Sequence, residues 1–236
     1  MRNRFVIGSN ALFKESNIYA EKSSTVLAWL LLTGIEKEQF SLREVSRDTR
    51  VSLGLVQRIF KTLTQYGFLQ TEGVRTSKRF ILKKPKLLFK SWLNHYDIRK
   101  KCRMWTYQTS LEGRVEVLHF LKEFALSKKV AFALHTAAEM YRCKNTNLET
   151  VELYMLDLAI RPKLESCLQL EPQERGYEVL LIEPYYKNLL EPQNDVNISS
   201  TMLTYLDLYH FPLRGQEQAE FMAERFPELK KIYGGK

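Results

Sequence analysis

Apolar residues recur at helical spacing through most of the first 70 positions of this chain. Residues 23–35, SSTVLAWLLLTGI, are apolar almost all round and predict a buried helix, with Ser23 or Ser24 as cap and Gly34 as its end. SLREVSRDTR at 41–50 predicts a second helix. Ser41 and Glu44 have the spacing of a capping box, Leu42 and Val45 face a core, and Arg43, Arg47 and Asp48 face out. A third helix follows Ser52, a candidate N-cap. Val56, Ile59, Phe60 and Leu63 fall at i, i+3, i+4 and i+7 and form one apolar stripe. Its other face carries Gly54, Gln57, Arg58, Lys61 and Gln65, none of them acidic. Gly67 ends it, and Phe68-Leu69 returns to the core. The period then shortens: residues 69–84, LQTEGVRTSKRFILKK, predict a hairpin turning at Gly73, with Arg75, Lys78 and Arg79 near its tip.

Helix, capped helix, turn, helix and basic hairpin is the order of a winged helix-turn-helix, and the spacing of Leu63, Gly67, Phe68 and Leu69 suits it. Such a module places its third helix in the major groove of DNA. Gln57 and Arg58 are types that bond base edges bidentately, and Lys61 suits a phosphate. The DNA-facing set read from the sequence is Arg43, Ser52, Gly54, Gln57, Arg58, Lys61, Arg75, Lys78 and Arg79. Gly54 gives up roughly 1 kcal/mol of helix propensity relative to Ala. It is either a tolerated glycine or a point of close approach to DNA.

Beyond residue 84 the pattern is mixed. Residues 83–107 predict a basic amphipathic linker helix with Leu88, Trp92 and His95-Tyr96 on one face and Pro85 at its start, then a strand, RMWTYQ. Residues 111–129 predict a helix with Val115, Leu118, Leu121 and Leu126 on its apolar face, and 130–141 another. VELYML (151–156) and EVLLIEP (178–184) read as strands. Residues 198–211 read as a helix capped by Ser199 or Ser200, and a last helix follows Gly215. The expected fold class is α+β. Residues 1–84 form a winged helix-turn-helix, 85–109 a basic linker helix and strand, and 110–236 an α+β domain with a small sheet covered by helices.

Charge sharpens the division. Residues 1–109 hold 21 Lys and Arg against 8 Asp and Glu, and residues 110–236 hold 15 against 19. A surplus of cations gathers phosphates by counterion release. Double-stranded DNA is therefore the expected partner, with promoter inverted repeats read by a symmetric pair of chains or by two monomers that meet only on DNA; the sequence has no coiled-coil heptads. Winged helices that dock only protein share the same core spacing.

Other chemistry finds little support. Cys102, Cys143 and Cys167 are widely spaced and read as free thiols. The most apolar run, VLAWLLL at 26–32, is about a third of the ~20 residues needed to span a bilayer. The N-terminus lacks a secretory h-region, so a cytoplasmic protein without membrane contact is expected. Gly8-Ser9 lacks the D-x-D that a nucleotidyltransferase needs for metal ions. The histidines at 95, 119, 135 and 210 have no metal-ligand spacing, and no phosphate-binding glycine loop occurs, so neither cofactor, metal nor catalytic residue is expected. His95 beside Asp97 reads as structural, Asp157 and Asp207 as caps or surface pairs, and Tyr185-Tyr186 as core.

Five segments resemble one family: WLNHYDIRKK (92–101), AFALHTAAEMY (131–141), VELYML (151–156), GYEVLLIEPYY (176–186) and STMLTYLDLYHFPLRGQEQAEF (200–221). Together they are similar to the AbiE-type antitoxins, abortive-infection proteins of type IV toxin–antitoxin systems. The last segment is the most specific, with Tyr205, Leu206, Asp207 and Leu208, then Arg214-Gly215, then Gln218, Ala219 and Glu220. The resemblance implies a non-enzymatic repressor that acts on its own operon through the winged helix. It also implies a nucleotidyltransferase toxin as functional partner, one that the antitoxin need not bind stably. The alternative is a free-standing winged-helix regulator or adaptor whose C-terminal domain binds a ligand or protein.

Overall fold

The structure, a computed structural model, describes residues 17–74, 77–144 and 147–234. Three helices open it: α1 (Glu21–Leu32), α2 (Leu42–Thr49) and α3 (Leu53–Gln65), followed by the strands β1 (Leu69–Glu72) and β2 (Arg79–Leu82). α1 starts earlier than its serines suggest. Its N-cap is Ala20, and Ser23 and Ser24 lie inside the helix, buried, donating their hydroxyls to the carbonyls of Asn17 and Glu21. A hydroxyl inside the first turn can satisfy itself on a local carbonyl, so it need not sit at the cap. Gly34 opens a short 3-10 turn instead of capping the helix.

α2 has the expected box. Glu44 N–H donates to Ser41 Oγ at 3.2 Å, and Ser41 N–H donates to the Glu44 carboxylate at 3.3 Å. Ser52 is at the N-cap of α3 but its side chain makes no cap bond. Gly67, at φ +71°, ends α3, and Phe68 N–H reaches back to Leu63 O at 2.9 Å, the six-to-one bond of a Schellman motif. β1 and β2 pair antiparallel from Leu69↔Leu82 to Glu72↔Arg79, and Phe40 adds a bridge to Phe80. Edge-on ring contacts run Trp29–Phe40–Phe60–Phe80 at 5.2, 5.9 and 4.8 Å, so α1, α3 and the hairpin share one aromatic spine.

The connector is α4 (Pro85–His95), one turn of helix α5 (Ile98–Lys101) and β3 (Arg103–Thr109). Leu88, Phe89, Trp92 and Leu93 are buried, as is Tyr96, whereas His95 is exposed and stacks on Tyr19 at 4.3 Å. Trp92 Nε1 donates to Tyr186 Oη at 3.0 Å, and Tyr186 donates on to Tyr19 O at 2.8 Å.

A mixed seven-stranded sheet fills the second half in the order β6-β3-β7-β5-β4-β9-β8. Its remaining strands are β4 (Val130–Phe132), β5 (Val151–Met155), β6 (Leu170–Pro172), β7 (Val179–Glu183), β8 (Leu190–Glu191) and β9 (Asn197–Ser199). β5 runs parallel to β7 and β4 parallel to β9; the other neighbours are antiparallel. The helices are α6 (Gly113–Glu123), α7 (Leu134–Met140), α8 (Arg161–Cys167), α9 (Thr201–Tyr209), α10 (Gly215–Arg225) and α11 (Pro227–Tyr233). Strand residues alternate between two cores. Val151, Leu153, Val179 and Leu181 join α6 and α8 on one face. Tyr154, Leu180 and Ile182 join α4, α9, α10 and the three opening helices on the other.

Several expectations need correction. Residues 130–132 form a central strand, not the start of a helix: Val130 and Phe132 go to one core and Ala131 to the other. α6 stops at Glu123 because Ala125 turns left-handed at φ 55°. Val115 is 80% exposed, and Val117 takes the inward place. α10 is not the last helix, since Pro227 starts another. The sheet is larger than expected because strands of two or three residues leave almost no periodic trace.

Candidate nucleic-acid interface

A cleft of about 800 Å³ opens between α2, α3 and the hairpin. α3 contributes one ridge, Leu53, Gln57, Lys61 and Gln65 at successive i+4 steps, with Thr64 beside it. α2 contributes Ser41, Leu42 and Arg43 from its capped first turn, and the hairpin contributes Thr71, Lys78, Arg79 and Phe80. Phe60 and Phe80, both buried, sit against the floor, and Arg43, Lys61, Lys78 and Arg79 bring positive charge to the walls. None of the residues that line it is acidic. Lys78 Nζ lies 5.7 Å from the Phe80 ring centre, a cation–π contact.

Of the DNA-facing set read from the sequence, Arg43, Gln57, Lys61, Lys78 and Arg79 come together from three elements. Ser52, Gly54 and Arg58 are exposed but lie outside the cleft lining, farther round α3. A Cβ added at Gly54 would meet no atom within 4 Å. Arg75 lies outside the described residues. Leu53 also lines the cleft and is not among the expected contacts, and Leu42, expected to face the core, packs partly against it and lines the cleft as well. The signal for Leu53 was its place four residues before Gln57 on the same ridge.

The isolated residues resolve differently. Asp157 caps the 3-10 turn at Leu158–Ile160 by accepting from Ala159 N–H at 3.0 Å, as a cap should. Asp207 is neither cap nor surface pair. It is fully buried on α9, where Tyr96 and Tyr154 each donate a hydroxyl to one carboxylate oxygen at 2.7 Å. Burial pushes its carboxyl up to about 7, against the two tyrosine bonds that favour the charged form. Beside it Cys102 is pushed up to about 12, chiefly by burial, so this thiol has little thiolate character. All three cysteines are free and buried.

Glu152, also fully buried, sits on β5. It accepts from Thr136 N–H at 2.8 Å, Thr150 Oγ1 at 2.6 Å and the Tyr177 hydroxyl at 3.1 Å, which ties α7 to the sheet. His135, 4% exposed on α7, is held below the ordinary histidine value by burial, with Glu152 opposing.

Fold and cleft together define an α+β protein that carries a cationic helix-and-hairpin cleft on a helix-covered sheet. A family model described as transcriptional regulator, AbiEi antitoxin, of the type IV toxin–antitoxin system matches residues 81–227, more than half of the chain. The chain belongs to this family of antitoxin regulators. The match starts within β2, so α1 to α3 and all the residues that line the cleft precede it. No curated protein and no solved structure matches the chain. No helix among the described residues is long and apolar enough to cross a membrane.

Proposed function

We propose that residues 1–84 act as a winged helix-turn-helix that binds promoter DNA. On this reading 85–109 form the connector, and 110–236 carry the antitoxin-type part of the chain. The cleft supports this most directly: four cations from α2, α3 and the hairpin face one space with no carboxylate among its lining residues. Such a surface suits a phosphate backbone, whose condensed counterions it releases. α3 lies in the major groove, Gln57 and Arg58 meet base edges, and Arg43, Lys61, Lys78 and Arg79 hold phosphates on either side. Ser52 and Gly54 lie at the backbone's closest approach. The chain represses its own operon, with two copies on an inverted repeat, and counters a nucleotidyltransferase toxin encoded with it. Its work is done in the cytoplasm, without catalysis of its own.

Mobility shifts with the DNA upstream of the gene, against random duplex, test the reading. Arg58→Ala or Gln57→Ala should reduce specific affinity by about 1–3 kcal/mol while leaving weak random-duplex binding in place. Absence of binding to any duplex at low salt would remove the proposal. Co-expression with the neighbouring nucleotidyltransferase tests the second part, with restored growth as the expected result.

A further inference from the structure

Leu53 stands out on the basic ridge of α3. It is the first residue of the helix, it is 43% exposed, and it lines the cleft on one ridge with Gln57 and Lys61. The inward stripe of the helix is already filled by Val56, Ile59, Phe60 and Leu63, all essentially buried, so core packing does not explain an apolar side chain here. An exposed leucine among cations and amides gains by meeting an apolar group on the partner.

In a major groove the one apolar group is the C5-methyl of thymine, and adenine offers the N6/N7 pair that suits a glutamine amide. Leu53 and Gln57 are one helical turn apart on the same ridge, so they reach neighbouring base pairs together. A leucine side chain is short, and its contact requires the helix backbone to come close. Gly54 supplies that room, because the position next to Leu53 bears no side chain and has open space around it. The absence of acids in the cleft favours a nucleic acid over a basic or neutral protein surface.

Resting on the DNA-binding reading above, we propose that Leu53 is a specificity-determining residue. It packs on a thymine methyl while Gln57 bonds an adenine in an adjacent pair, so the helix selects a step containing both. The nine polar or glycine positions proposed from sequence leave this apolar half of the readout out.

The full chain would be used to select binding sites from a pool of random duplexes. Each thymine of the enriched site would then be replaced by deoxyuridine, which removes only the methyl. One replacement per half-site should weaken binding about fourfold, the amount expected for one buried methyl. Leu53→Ala should bind the thymine and deoxyuridine sites equally, and Leu53→Met, which keeps an apolar contact, should retain the preference. Gln57→Ala should lose the preference for the adjacent adenine. If every deoxyuridine replacement is neutral, or Leu53→Ala still discriminates, the inference is wrong although the chain binds DNA. If no duplex is enriched and none binds at low salt, both the inference and the DNA-binding reading fail.

Discussion

Asp207 sits where a charge is hardest to keep. It is enclosed by Tyr96, Tyr154 and Cys102, with two neutral hydroxyls as its donors. Its carboxyl is held at about 7 against an ordinary 3.8, so the folded state binds the proton more tightly than the unfolded chain. The associated stability is fully present at acid pH and is lost as pH rises between those two values. Denaturant unfolding across that range should show Asp207→Asn with a shallower fall in stability than the parent chain. Equal slopes would place the proton elsewhere. Gly54 gives a second residue-scale expectation. Gly54→Ala meets nothing in the free protein, so it should raise unfolding stability by up to about 1 kcal/mol. If the backbone approaches DNA there, the same variant should bind duplex more weakly, measured side by side.

At the scale of elements, α3 and the hairpin divide the work of the cleft. Lys78 and Arg79 reach it from the hairpin and make no ion pair among the described residues. Replacing both with alanine should lower the slope of log affinity against log salt by about 2 and weaken all duplexes alike. Replacing Gln57 should change sequence preference with little effect on the slope. Elsewhere, the segment that most resembles the antitoxin family is explained by packing. Gly215 begins α10 where a Cβ would run into the Leu208 carbonyl and contact Phe211 at 3.0 Å. Gln218, 1% exposed, donates to the Cys143 carbonyl beyond α7. Asp207, Gly215 and Gln218 thus fasten α9 and α10 to the connector, the sheet and the segment after α7. The Gly215 spacing was visible in the sequence, but its reason was not, since the atoms that exclude a side chain there belong to the end of α9 and the turn after it.

Over the whole molecule, one hydrophobic cluster runs from Val26 and Phe60 in the opening helices through Trp92 on α4 to Leu206 and Ile232 near the end. The connector is consequently core on its inner side and basic only on its outer one. A chain built this way should unfold in a single transition, with tryptophan fluorescence and far-ultraviolet circular dichroism changing together. Separate transitions would show that residues 1–84 and 110–236 hold together independently. The shared core also joins the second half to the cleft-bearing helices, and α4 follows β2 with only two residues between them.

By itself the sequence determined the elements whose signals are local. The Ser41–Glu44 box, the Val56–Leu63 stripe, the Gly67 stop and the turn at Gly73 each depend on residues within a few positions of one another. Charge counting likewise marked the half that carries the cationic cleft. Only the tertiary structure decided what depends on distant neighbours. β4 is a strand because β5 and β9 flank it, although its residues read as the start of a helix. Asp207 is buried because Tyr96 and Tyr154 arrive from elements 111 and 53 residues away to satisfy it. The cleft, too, is a product of folding: Arg43, Lys61 and Lys78 are far apart in the chain, and the aromatic spine beneath them sets the distance at which they face a partner.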